Sequence, residues 1–152
     1  MAEITIIRTN SDNPDFRTLI RQLDEHLWGR YGEEQGEYDG HNKIENNNRV
    51  VIAYIDRKPI GCGCFKQFDE KSIEIKRMFV DPDERGKGGA SLILSELERW
   101  GKETGYNRAV LETGNKQTEA IALYKKMGYV VTANYPPYVE MSSSICMKKS
   151  LK

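Results

Sequence analysis

What this sequence lacks narrows its chemistry first. It has no surplus of charge: 23 Lys and Arg residues are matched by 23 Asp and Glu, for a formal net charge of zero. Nucleic acid and anionic membranes both draw on excess positive charge, so neither is expected as the main partner. No apolar run approaches the about 20 residues that a bilayer-spanning helix needs, and Met1-Ala2-Glu3 does not read as the start of a signal peptide. The expectation is a cytoplasmic protein. Cysteine and histidine are scarce as well. Cys62, Cys64 and Cys146 do not make a disulfide framework, and His26 and His41 lie far from them in sequence, so no metal site is expected. Cys62 and Cys64, two apart in a strand, share a face and read as small buried residues.

What is present centres on Ile73 to Ala90, Ile-Glu-Ile-Lys-Arg-Met-Phe-Val-Asp-Pro-Asp-Glu-Arg-Gly-Lys-Gly-Gly-Ala. It reads as a strand ending at Asp81-Pro82, a glycine-rich loop and a helix start, because from Ala90 apolar residues recur at 90, 93, 94, 97 and 100. The first N–H groups of a helix have no partner within it and carry partial positive charge, which favours phosphate. Gly86, Gly88 and Gly89 let backbone come close to a ligand, and Arg85 and Lys87 add full charges. The spacing is neither that of a nucleotide-hydrolysing P-loop nor Gly-x-Gly-x-x-Gly, since Ser91 stands where the third glycine would be. A nucleotide-binding protein is therefore the weaker alternative.

At 152 residues the chain predicts one domain, residues 1–152. Residues 3–8 predict a strand. Asp12-Asn13-Pro14 caps a helix whose stripe is Phe16, Leu19, Ile20, Leu23 and Leu27. From Gly29 to Asn48 the apolar pattern collapses. Strands over 50–55, 60–68 and 72–80, joined by short polar turns, predict an antiparallel meander. A helix over 88–104 ends near Gly105, a position for a left-handed cap. Residues 108–112 predict a strand, parallel to 73–80 through a right-handed crossover. A helix over 117–127 closes at Gly128, and strands follow at 129–132 and 143–149. The sum is an α/β fold of mixed strand direction with helices on both faces. The last strand is a candidate sheet edge that a second copy could extend, leaving monomer and homodimer both open.

Met78-Phe79-Val80-Asp81-Pro82 followed by Arg85-Gly86-Lys87-Gly88-Gly89-Ala90 resembles the acyl-coenzyme A motif of the GCN5-related N-acetyltransferases. Further on, Glu119-Ala120-Ile121-Ala122-Leu123-Tyr124-Lys125-Lys126-Met127-Gly128-Tyr129 resembles that family's second signature. The resemblance implies a single-domain, mostly antiparallel sheet of acyl-CoA N-acyltransferase type, with a parallel pair splayed at its centre. It implies acetyl-CoA as co-substrate, no metal, and donor contacts from Met78, Phe79, Val80, Arg85, Gly86, Lys87, Gly88, Gly89, Ala90 and Gln117. It places Trp28, Tyr31, Glu33, Glu34 and Tyr38 near the acceptor side, where ordinary surface or packing roles are the simpler reading. Two positions depart from the family pattern: Asp83 stands where Gln or Arg is common, and Gln117 where Asn is common.

The implied chemistry is attack of an amine on a thioester, which needs a base for the ammonium, a donor for the oxyanion and a proton for the thiolate. Glu74 alternates with Ile73 and Ile75, so its carboxylate leaves the strand on the opposite face, as a base or as a half-solvated polar residue. Tyr124 is the acid implied by the resemblance, or else a core aromatic in the stripe of Ala120, Leu123 and Met127. Ahead of Arg77 only odd positions are apolar, whereas 78, 79 and 80 all are. That change fits a bulge that frees backbone donors near Met78 and Phe79, or burial on both faces. The expected acceptor is the primary amine of a small molecule such as an amino acid. A protein N-terminus, a lysine, or a non-catalytic acyl-CoA binding module are the alternatives.

Overall fold

The computed structural model describes residues 3–31 and 46–152, and side chains over 3–27 and 46–152. Among the described residues three helices, α1 (Pro14–Tyr31), α2 (Gly89–Glu103) and α3 (Thr118–Lys126), accompany seven strands. The strands are β1 (Ile4–Thr9), β2 (Val50–Ile55), β3 (Lys58–Gln67), β4 (Ser72–Val80), β5 (Arg108–Gly114), β6 (Val130–Thr132) and β7 (Ser144–Ser150). They form one sheet in the order β1-β2-β3-β4-β5-β7-β6. All neighbours are antiparallel except β4 and β5, the parallel pair expected from the crossover through α2.

Local chemistry sets the element ends. Pro14 takes the first helical position of α1 while the Asn13 side chain accepts from the Asp15 N–H at 2.8 Å. The two-residue turn between β2 and β3, Asp56-Arg57, has positive φ at both positions (48° and 68°), the twist that suits a tight hairpin. Gly105 and Gly128 end their helices with φ of 102° and 100°, as left-handed caps.

The sheet is covered on both faces. Ile93, Leu94 and Leu97 of α2, all fully buried, pack over Val51, Ala53, Ile60, Ile73, Ile75 and Leu111. Gly101 extends that contact: a Cβ there would lie 2.7 Å from Ile73 Cδ1, so a side chain at this position would have to displace the end of Ile73. On the opposite face Phe16, Leu19, Ile20 and Leu23 of α1 cover Val50, Ile52, Cys62, Cys64 and Phe79. Cys62 and Cys64 share that face, as their spacing predicts, and all three cysteines are buried free thiols.

One expectation is overturned. The last strand is not an edge: β7 lies between β5 and β6, and β1 and β6 are the outer strands. β7 pairs with all seven residues of β5, whereas β6 has only three residues to offer. The longer strand takes the inner place because it satisfies the whole of that ladder.

Candidate active site

The parallel ladder between β4 and β5 stops early. It pairs Ser72 with Arg108 through Ile75 with Leu111 and goes no further, although β4 runs on to Val80 and β5 to Gly114. β4 changes shape at that point. Between Cys62–Phe79 and Cys64–Lys76 the register shifts, so Arg77 and Met78 together oppose Gly63. This is a β-bulge one residue ahead of the expected place, and Arg77 takes the left-handed conformation (φ 59°) to make it. The Arg77 guanidinium, little exposed, is held by Asp24 of α1 at 3.0 Å. Both readings of the apolar run are realised: the bulge exists, and both faces are covered, Met78 and Val80 toward α2 and Phe79 toward α1. Beyond Ile75 the β4 and β5 backbones no longer pair with each other.

The glycine loop follows directly from the end of β4. After a short 3₁₀ turn, Pro82–Glu84, the chain passes Gly86 (φ 81°) and Gly88 (φ 89°) and enters α2 at Gly89. Neither Gly86 nor Gly88 has any atom within 4 Å of where a Cβ would sit, so an approaching ligand meets bare backbone. Gly88 occupies the cap position of α2, and no side chain caps its first N–H groups. Arg85 Nε donates to the Val80 carbonyl at 3.2 Å, fixing its root against β4. Lys87 rests on Glu84 at 2.7 Å, and Lys58 lies 3.2 Å from the same carboxylate, which both hold below its usual pKa. Exposed pairs of this kind are worth little, so exchange of Glu84 for a phosphate is cheap. Asp83 is exposed, and its own N–H donates to Asp81 Oδ1 at 3.0 Å.

Gln117 sits at the start of α3, and its side-chain Nε2 is sealed from solvent with no hydrogen-bond partner. An unmade donor of this kind costs about 1–3 kcal/mol, so the position is suited to a carbonyl or phosphate from a ligand.

Glu74 and Tyr124 lie on opposite faces. Tyr124 is buried among the α2-side residues, edge-on to Tyr129 with ring centroids 5.9 Å apart. Burial, then the charge of Glu112, raises its pKa, so it stays a neutral phenol and hence a proton donor. Glu74 is 5% exposed on the other face. Tyr135 Oη donates to its Oε2 at 2.9 Å, and Lys66 Nζ stands 3.8 Å from its Oε1. It borders a cavity of about 360 Å³ lined also by Lys66, Gln67, Phe68, Lys76, the Pro136-Pro137 pair and Tyr138. Among the described residues no three His, Cys, Asp or Glu side chains converge on a point where a metal could sit.

The profile of the acetyltransferase (GNAT) family matches residues 14–129, most of the chain. The chain belongs to that family. An IAA acetyltransferase of Azospirillum brasilense is 31% identical over 153 residues, spanning 99% of this chain and 100% of that protein. Human N-acetyltransferase 8 is 33% identical over 89 residues, 59% of this chain but 38% of its own length. Among solved structures, a candidate acyl-CoA N-acyltransferase from Klebsiella pneumoniae subsp. pneumoniae superposes with a TM-score of 0.78 at 27% identity, covering 100% of this chain and 99% of that one. The paia N-acetyltransferase of Thermoplasma acidophilum, in complex with coenzyme A, shares the fold with a TM-score of 0.72 at 19% identity, over 97% and 99%.

Two residues of this GNAT site, Lys66 and Tyr135, escape a reading of motifs alone. A third, Glu112, belongs to Glu112-Thr113-Gly114, a stretch after the central parallel strand that by sequence either faces the acceptor or merely closes that strand. Glu112 lies on β5 just past the last parallel pair, where Ser144 Oγ donates to its Oε2 at 2.8 Å. Burial pushes its carboxyl up to about 7, with the Glu74 charge adding and the Ser144 hydrogen bond and Lys76 opposing. Two residues on from Val110, which pairs with Glu74, it points to the Glu74 side of the sheet. Tyr135 reaches Glu74 from 61 residues away, and Lys66 is brought opposite Glu74 by the β3–β4 register. No local pattern marks either. Of the residues expected near the acceptor, the side chains of Trp28 and Tyr31 and the whole of Glu33, Glu34 and Tyr38 lie outside the described residues.

Proposed function

We propose that the chain forms one N-acetyltransferase domain that moves an acetyl group from acetyl-CoA to the primary amine of a small molecule in the cytoplasm. One observation carries this: the β4–β5 ladder ends at Ile75–Leu111 although both strands run on, and β4 alone joins the cavity beside Glu74 to the glycine loop. Related folds support acetyl-CoA as the donor, including a GNAT acetyltransferase of Elizabethkingia anophelis with acetyl-CoA bound. The uncapped start of α2, the open glycines and the unpartnered Gln117 amide fit such a donor. The small-molecule acceptor draws support from the Azospirillum relative, named for IAA, and from the modest size of the cavity.

In this reading Arg85, Lys87 and the N–H groups around Gly86–Ala90 hold pyrophosphate, while Met78–Val80 backbone and Gln117 orient the pantetheine arm. Glu74 accepts a proton from the incoming ammonium, directly or through one water, and the freed lone pair attacks the thioester carbon. Backbone N–H near the bulge stabilises the oxyanion. As the intermediate collapses the C–S bond breaks with its electron pair on sulfur, and Tyr124 supplies the thiolate's proton. The N–C bond remains; of the two protons the ammonium sheds, one ends on the thiol and one in solvent.

Calorimetric titration with acetyl-CoA, with ATP as control, tests the donor site. Selective binding near micromolar, about −8 kcal/mol, is expected; affinity for neither ligand would reduce the glycine loop to a turn. Tyr124→Phe should lower kcat by about 100-fold with acetyl-CoA affinity nearly unchanged. Equal turnover would remove Tyr124 from the acid role.

A further inference from the structure

The cavity beside Glu74 has a charge pattern that a simple amine does not use. β3 and β4 pair Lys66 with Glu74 and Cys64 with Lys76, so Lys66, Glu74 and Lys76 stand on one face of the sheet. All three line the cavity, two cations around one carboxylate. The Lys66 ammonium lies 3.8 Å from Glu74 Oε1, so a cation and a carboxylate stand side by side in the wall, one for each charge of a zwitterion. Lys76 is half-buried, and burial lowers its pKa; an ammonium so placed gains from an anion brought into the same enclosure. The nearby Glu112 carboxyl, held by Ser144, is drawn toward its neutral form and offers little against such an anion. The remaining walls are one amide, Gln67, and the apolar or aromatic Phe68, Pro136, Pro137 and Tyr138, with Tyr135 stacked edge-on between Phe68 (4.8 Å) and Tyr138 (5.7 Å).

The geometry points to an α-amino acid with an apolar or aromatic side chain as the acceptor, its carboxylate bound between Lys66 and Lys76 and its amino group turned to Glu74. This rests on the acetyltransferase function proposed above and names the substrate class of the same site. The transfer then forms an amide bond at the α-nitrogen, breaks the thioester C–S bond, and yields an N-acetyl amino acid, coenzyme A thiol and one proton. A polyamine, which would place several cations against two lysines, is disfavoured.

The test is a panel of amino acids, each beside its decarboxylated amine (phenylalanine with phenethylamine, leucine with isoamylamine), plus spermidine, with products measured by mass spectrometry. It is run on the full chain and on Lys66→Gln and Lys76→Gln. An acceptor's own basicity is the same for every variant, so a change in the ratio of kcat/KM between acid and amine reads the lysines alone. Wild type is expected to acetylate amino acids, and each variant to lower that ratio by about tenfold, about 1.4 kcal/mol. Lys66 is about half exposed, so its variant is expected to fold even if the Lys76 variant does not. Acetylation of amines or spermidine but of no amino acid, or ratios unchanged in both variants, overturns the inference and leaves the acetyltransferase function standing. Failure of the wild type to bind acetyl-CoA overturns that function instead, and the inference with it.

Discussion

The two faces of this sheet do different work. Toward α2 and α3 the sheet residues are apolar almost without interruption, and Ile93, Leu94 and Leu97 meet them with no water between. The other face is divided. Beneath α1 it is equally apolar, but from Lys66 across Glu74 and Lys76 to Glu112 it holds ionisable groups, under a loop that brings in Tyr135 and Tyr138. Strand alternation makes this possible, since the residues that build the core and those that line the cavity are sequence neighbours pointing opposite ways. Stability and chemistry are thereby separable within a single strand.

The sharpest test of that separation is a pair of substitutions. Leu97→Ala should cost about 2–5 kcal/mol of stability, read by chemical denaturation. Glu74→Gln should lower kcat by about 10²–10⁴-fold while melting almost as wild type, because glutamine still offers Tyr135 an acceptor. A Glu74→Gln protein that unfolds early with full activity would reverse the assignment of the faces. A smaller effect is expected at the loop. Gly88→Ala must hold a side chain at a φ of 89°, which costs about 1–2 kcal/mol, and calorimetry should show acetyl-CoA binding weakened by about tenfold. The smallest is a matter of pH. The Glu112 carboxyl titrates higher in the folded chain, about 7, than its ordinary 4.5, so the folded state holds the extra proton between those values. Its contribution to stability is complete below about pH 4.5 and is lost as pH rises to about 7. Measured against Glu112→Gln, the wild type should lose stability across that window and then hold a constant difference.

Sequence carried most of the apolar face and little of the polar one. The stripes of α1 and α2, the parallel crossover, the left-handed caps at Gly105 and Gly128, and Glu74 pointing away from Ile73 and Ile75 all follow from local periodicity and turn chemistry, and the structure has them. The bulge was legible as a break in alternation, though one residue from its place. Glu112 was legible only as one of two readings of Glu112-Thr113-Gly114. Lys66 and Tyr135 were not, because strand register and a loop 61 residues away assemble them, and no window of sequence contains both partners. The inner position of β7 escaped for the same reason: sheet order reflects which ladder a strand can fill, not where it stands in the chain.

The bulge at Arg77 acts on β4 as a shift of reading frame. Before it, odd-numbered residues face α2 (Ile73 and Ile75); after it, even-numbered ones do (Met78 and Val80), and Phe79 is delivered to α1. One strand thus spells two messages in different phase, ionisable residues for the cavity and then an apolar clamp beside the glycine loop. Flattening the bulge with Arg77 kept in the strand would set its two halves out of phase with the helices that cover them, whereas deleting Arg77 would leave a regular ladder with both in phase. The extra residue, held by Asp24, keeps cavity and loop on a single strand.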